Sequence, residues 1–385
     1  MKKLFAAAVS LAMLGSMTAC GAPESSSESS SEKSSESSSV YIGDKTIGIA
    51  MPASELERWN RDGEFLKNQF ESAGYKVELI YSNNDAAQQN LDVSGMIKKD
   101  VDLLLIAAVD ANSLSSTLED AKTANIPVVA YDRLIMGTDA VTYYISFDNY
   151  AVGKLQADFV KSMLSLETTP NTYNIEFVAG DSGDNNAKYF FDGAYDTLKP
   201  LIDSGTLKVQ SGKTEFEQVA TKGWTTDNAE KNMIDTLNTF YTEEELNIAL
   251  CANDSTALGV SKAFEATKPD AKFPVITGQD GDIENIKNLV DGKQSMTVYK
   301  NVSDESSVAV DVCKAILSGN TPAASLVDSF SAEVNYDTSS YNNGKKYVQS
   351  YLLIPTVITK SDLQSLVDTG NYRWDADNKY LELSE

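Results

Sequence analysis

Six short polar clusters carry the side chains that could do chemistry here, and each follows an apolar run. Arg58-Trp59 comes after the first such run, Asp132-Arg133 after Val128-Val129-Ala130, and Asp184-Asn185-Asn186 after Asn174–Ala179. Asn253-Asp254 follows Ile248–Ala252, Gln279-Asp280 follows Val275-Ile276-Thr277, and Lys300 ends Ser295–Tyr299. No glycine loop of the phosphate-cradling kind occurs among them. Asp132, Asp184 and Asp280 supply acceptors, Arg58, Arg133 and Lys300 supply donors, and Asn186 and Asn253 supply both. That inventory suits a neutral ligand rich in hydroxyls. Each hydroxyl both donates and accepts, and hydrogen bonds to ionised groups offset the water stripped from it. Mixed signs keep the net charge of the site near zero, and Trp59 and Trp224 could cover the two apolar faces of a pyranose ring. Taken singly, Asp132-Arg133 also reads as a surface ion pair, Asn253 or Asp280 as a helix N-cap, and either tryptophan as core. Recurrence at six strand ends favours one shared site.

The elements that must position these residues follow a βαβα alternation. Strands are predicted at Thr46–Met51, Lys76–Tyr81, Val101–Ala108, Ile126–Ala130 and Tyr143–Ser146, with helices at Glu55–Ala73, Asp85–Lys99 and Ser113–Ala124. After a helix at Ala151–Leu164 a second series begins. Its strands are Asn174–Ala179, Lys208–Gly212, Ile248–Ala252, Val275–Thr277 and Ser295–Tyr299, and its helices Ala187–Leu198, Asp227–Tyr241, Ser255–Thr267 and Ile283–Val290. A helix at Val308–Leu317 and a strand at Tyr347–Leu353 complete the pattern. Runs such as Leu103-Leu104-Leu105-Ile106 are apolar on both faces, which demands a parallel sheet covered by helices on both sides. The expected fold class is therefore α/β, with two doubly wound parallel-sheet lobes. Ligands bind such sheets at the carboxyl ends of their strands, where the polar clusters lie.

Composition excludes several function classes. A formal charge of −24 argues against nucleic acid and anionic membrane surfaces as partners. With no histidine in 385 residues, most metal sites and every imidazole-based mechanism are removed. Asp375-Ala376-Asp377-Asn378-Lys379 fails as a calcium loop because Lys holds a ligand position and the turn glycine is missing. Neither a metal nor a cofactor is expected. Cys251 and Cys313 read as buried small hydrophobes, not as a disulfide framework.

The first 45 residues form a separate region. Lys2 and Lys3, the apolar run Leu4 to Leu14, and Ser16-Met17-Thr18-Ala19 before Cys20 have the layout of an export signal. It resembles a bacterial lipobox, with Met17 where Leu is commonest. Residues 1–19 are thus expected to be removed and Cys20 to carry the lipid, the only membrane attachment. Residues 20–45, rich in Ser and Glu, hold too little apolar surface to fold and read as a tether.

The strand-end motifs also resemble a known family. Leu56-Glu57-Arg58-Trp59, Ala130-Tyr131-Asp132-Arg133-Leu134-Ile135, Ile145-Ser146-Phe147-Asp148-Asn149, Asp184-Asn185-Asn186-Ala187, Gly278-Gln279-Asp280 and Met296-Thr297-Val298-Tyr299-Lys300 are similar to those of xylose-binding proteins. Leu198-Lys199-Pro200-Leu201-Ile202-Asp203-Ser204-Gly205 and Ser350-Tyr351-Leu352-Leu353 resemble the multiple-monosaccharide binders of the same group. The resemblance implies a type I periplasmic-binding fold with three hinge segments. It places residues 46–148 and 301–335 in one lobe, and 149–300 and 345–385 in the other. It further implies a monomeric substrate-binding subunit of an ATP-driven (ABC) importer, whose partners are a monosaccharide in aldopyranose form and a membrane permease. Its sugar contacts fall on Arg58, Trp59, Asp132, Arg133, Asp184, Asn186, Trp224, Asn253, Asp280 and Lys300, the tryptophans sandwiching the ring. Gly281-Asp282-Ile283 and Gly212–Gly223 depart from the xylose binders. Two alternatives share this fold: a sensory component that docks a receptor for chemotaxis or gene regulation, and a binder of another small polyol. A glycosidase reading of the same carboxylates fails because paired cations would hold them ionised.

Overall fold

The structure is a computed structural model that describes residues 44–384. The signal, Cys20 and most of the tether lie outside the described residues. Among the described residues no helix is long and apolar enough to cross a membrane.

The first lobe is built on seven strands, in the order Val334–Asp337, Gln349–Leu353, Val141–Phe147, Val128–Tyr131, Leu103–Ile106, Thr46–Met51 and Lys76–Tyr81. Every neighbouring pair is parallel except the first, which is antiparallel. All four residues of Leu103–Ile106 are buried, as a strand covered on both faces must be. One face packs on Leu66, Phe70, Val308 and Val312 of helices Glu57–Ser72 and Val302–Leu317. The other packs on Val93, Met96, Leu118 and Ala121 of helices Ala86–Lys98 and Ser115–Thr123.

The second lobe has Leu207–Lys208, Tyr173–Val178, Ile248–Cys251 and Val275–Ile276 in parallel. A bridge from Gln279 to Val298 leads on to Thr297–Tyr299, which pairs antiparallel with Thr356–Ile358. Helices Asn149–Met163 and Asn185–Asp203 lie close together because Gly153 and Gly193 sit at their crossing. A Cβ on Gly153 would stand 1.9 Å from the Phe190 carbonyl, and one on Gly193 would stand 2.1 Å from that of Tyr150. Phe190, at that crossing, also lines the interlobe cavity.

The chain crosses between the lobes three times, after Phe147, after Tyr299 and after Leu353. The last crossing corrects the expected assignment of residues 345–385 to the second lobe. Gln349–Leu353 pairs in parallel with Tyr143–Phe147 of the first, and only from Thr356 does the chain join the second. The apolar run Tyr351-Leu352-Leu353 satisfies either sheet, so its partner is decided by tertiary pairing. Helix Val302–Leu317 also starts six residues before the expected Val308, because the Asn301 side chain accepts from Ser303 N and caps it there. Cys251 and Cys313 are buried, unpaired and in different lobes.

Candidate functional site

The strand ends of the two lobes line a cavity with about 400 Å³ of atom-free space, open solvent included. Nine of the ten expected residues line it: Arg58, Trp59, Asp132, Arg133, Asp184, Trp224, Asn253, Asp280 and Lys300. The tenth, Asn186, does not border the cavity. It stands behind Asp132, donating through Nδ2 to the Asp132 carbonyl at 2.5 Å and accepting from the Tyr144 hydroxyl at 3.1 Å. Leu56, Phe190, Ser255 and Gln279 complete the lining; the first three were not expected there, and Gln279 was singled out beside Asp280 but not among the ten.

Capping and cavity lining are performed by the same side chains. Asp184 accepts from Asn186 N through Oδ1 and so caps Asn185–Asp203. Its Oδ2 meets Arg133 Nε at 2.8 Å and accepts from Trp224 Nε1 at 3.2 Å. Asn253 accepts from Thr256 N to cap Asp254–Thr267, while its Nδ2 donates to Asp280 at 3.3 Å. Helix N-termini thereby aim short polar groups into the interlobe space.

Arg58 is the electrostatic hub. Its guanidinium reaches Asp62, Asp132 at 3.3 Å, Asp280 at 3.2 Å and Glu305 at 2.5 Å. Burial alone would depress its pKa, but the four carboxylates raise it well above the ordinary value. Lys300 pairs with Asp132 and lies 5.4 Å from the Phe147 ring centre. Asp132 is held below the usual carboxylate range; burial opposes this, and Lys300 and Arg58 outweigh it. Burial pushes Asp184 and Asp280 upward despite their cationic neighbours, and with Asp132 nearby it pushes Glu305 well up. Asp62 and Glu305 escaped the sequence reading. Asp62 lies four residues beyond Arg58 on the same helix face, a legible signal, whereas Glu305 needed the early start of its helix.

Arg133 packs over Trp59, 4.8 Å from its ring centre, and donates to the Ala108 carbonyl at 3.0 Å. Trp224 leans edge-on to Phe190, their centres 6.2 Å apart. Both tryptophans are part of their lobes' apolar clusters as well as the cavity wall. Asp132, Trp224 and Asp280 adopt positive φ of 54°, 60° and 106°, a conformation uncommon outside glycine that concentrates at ligand sites. No cluster of metal ligands occurs among the described residues.

Two α/β lobes with mostly parallel sheets, three crossings and an interlobe cavity of ion-paired polar groups define a type I binding-protein fold, built to close around a small ligand. The chain belongs to the family described as periplasmic binding protein domain, which it matches over residues 47–321. It is 37% identical over 336 residues to the multiple sugar-binding periplasmic receptor ChvE of Rhizobium radiobacter, covering 86% of this chain and 92% of that one. The D-xylose-binding periplasmic protein of Escherichia coli (strain K12) is 34% identical over 321 residues, covering 83% and 88%. Among solved structures, an ABC transporter solute-binding protein from Clostridium phytofermentans with bound β-D-glucose is 42% identical. It superposes with a TM-score of 0.81 over 87% of this chain and 99% of that one.

Proposed function

We propose that this chain is the extracytoplasmic sugar-binding subunit of an ABC importer, capturing a monosaccharide of the glucose and xylose class and passing it to a permease. The observation that carries this reading is the cavity itself. Asp132, Asp184 and Asp280, which accept, share its wall with Arg58, Arg133 and Lys300, which donate, and with Trp59 and Trp224. The β-D-glucose of the 42% identical relative supports the ligand class.

The mechanism follows from the division of contacts. Arg58, Trp59, Asp132 and Arg133 come from the first lobe, and Asp184, Trp224, Asn253 and Asp280 from the second. A sugar seated on one lobe gains its remaining hydrogen bonds only when the other arrives, so it favours the closed form by that difference. The carboxylates serve as acceptors and catalyse nothing, and the relatives are likewise binding proteins. Calorimetric titration with xylose, glucose, galactose and arabinose tests the reading. At least one should bind, and Asp132→Ala and Arg133→Ala should each cost about 2–4 kcal/mol, because truncation strands a charged partner in a closed site. Unchanged affinity in both variants would move the site elsewhere.

Anchoring through Cys20 belongs to the same proposal. The lipobox-like segment and the Ser/Glu tether support a lipid-held protein on the outer face of the cell membrane. Cys20→Ser should shift the protein from the membrane to the soluble fraction and abolish acyl labelling. Retention on membranes without acylation of the parent would refute the anchor.

A further inference from the structure

We propose that Glu57 and Arg61, which do not border the cavity, are positioning residues for ligand retention: they form a latch that closes with the lobes and holds the loop presenting Asp280. Both lie on helix Glu57–Ser72 of the first lobe, on turns adjoining Arg58. All their cross-lobe partners belong to the second. Arg61 donates to the Asp280 carbonyl at 3.1 Å, the Gly281 carbonyl at 3.4 Å and the Tyr372 hydroxyl at 2.8 Å, and pairs with Asp282 at 3.2 Å. The Tyr372 hydroxyl in turn donates to the Gly281 carbonyl at 2.7 Å.

Glu57 supplies a helix cap from the opposite lobe. Helix Ile283–Asp291 has Asp282 at its N-cap position, and that side chain makes no capping bond. The Ile283 N–H points instead at the Glu57 carboxylate, 3.2 and 3.3 Å from its two oxygens. A carboxylate at a helix N-terminus is favourable both as acceptor and as partner of the helix dipole. When the lobes part, this cap and the Arg61 bonds are lost together.

The loop they grip has two functional faces. Asp280 turns its side chain into the cavity, toward Arg58 at 3.2 Å and Asn253 at 3.3 Å, and its carbonyl outward to Arg61. It holds both with a φ of 106°. From within the second lobe, Asp254 Oδ2 accepts from the N–H groups of Gly281 and Asp282, at 2.9 Å each. Asp254 thus shapes the loop in any state, whereas Glu57 and Arg61 engage it only on closure. Forming the latch and completing the cavity wall at Asp280 are one event, so the latch should slow ligand escape without assisting its entry.

The inference rests on the monosaccharide-binding reading, and stopped-flow tryptophan fluorescence with a sugar that the parent binds tests it. Arg61→Ala and Glu57→Gln should raise koff about 10- to 100-fold while kon stays within about twofold. The melting temperature of the sugar-free protein should hold, since the latch is open there, and Arg61→Lys should recover part of the loss. A koff within twofold of the parent in both variants would overturn the latch. So would a matching fall in kon together with a lower sugar-free melting temperature, which would make these residues merely structural. A parent that binds none of the sugars would instead sink the binding reading, and the two failures are told apart by the parent alone.

Discussion

Arg58→Met is expected to abolish measurable sugar binding and to destabilise the first lobe by about 3–5 kcal/mol at pH 8, the cost of removing one partner from a buried ion cluster. Asp62, Asp132 and Glu305 all belong to that lobe and all face the guanidinium. Their pairing persists when the lobes open, so the loss should appear in urea melts without sugar. The sign of its pH dependence follows. Glu305, already pushed up by burial and by Asp132, loses a cation that opposes that rise when Arg58 is removed, so its folded pKa stands above its unfolded one. The penalty is then complete above the folded value and fades as pH falls toward about 4, where both states are protonated. The deficit should therefore shrink between pH 8 and pH 5. Glu305→Gln in the same background should recover part of it, because it removes a carboxylate that has lost its cation. A deficit below about 1 kcal/mol, or one indifferent to pH, would show that the cluster is not held by charge.

Trp224→Ala should lower sugar affinity by two orders of magnitude or more, but the structure adds a stability cost that a residue purely of the cleft would not carry. The indole is 5% exposed and sits in the second lobe's apolar cluster beside Phe190. Truncating a fully buried tryptophan costs about 3–5 kcal/mol, and less is expected here because one face borders the cavity. Gly180→Ala separates the two effects. A Cβ there would stand 1.9 Å from the ring, so the indole must move, and it is a ring that lines the cavity. Sugar-free Gly180→Ala should lose less stability than Trp224→Ala, because the indole is displaced and not deleted, and yet bind at least tenfold more weakly. Normal binding by Gly180→Ala would remove Trp224 from the clamp. A binding loss in Trp224→Ala fully accounted for by unfolding would do the same.

Much of this was legible along the chain because it is written at short range. Thr46–Met51 was located to the residue, since a buried parallel strand needs consecutive apolar residues and a turn to end it, and so was the half-buried edge strand Lys76–Tyr81. Polar residues at strand ends were conspicuous for the same reason: the sheet fixes where the strands stop, and a site at their carboxyl ends follows. Asn253 carried a capping signal, and it does cap its helix while bordering the cavity; Asp184 does both as well, without having been read as a cap.

What the tertiary structure decided lies in contacts between residues far apart in sequence. Glu305 reaches Arg58 across 247 positions and Tyr372 reaches Arg61 across 311, and no local pattern encodes such pairs. The short strands Thr356–Ile358 and Tyr372–Trp374 exist because partners pair with them, their own propensity being too brief to declare them. The positive φ of Asp132, Trp224 and Asp280 has the same origin. Isolated residues of these types avoid that region, and the surroundings hold them in it: the Asp132 carbonyl is bonded by Tyr144, Ser146 and Asn186, and the loop at Asp280 by Asp254 and Arg61. The sequence by itself determined two α/β lobes and which residue types meet between them. Only the packing of one lobe against the other decided where each charge points, because burial makes an unpaired polar group too costly to leave to chance.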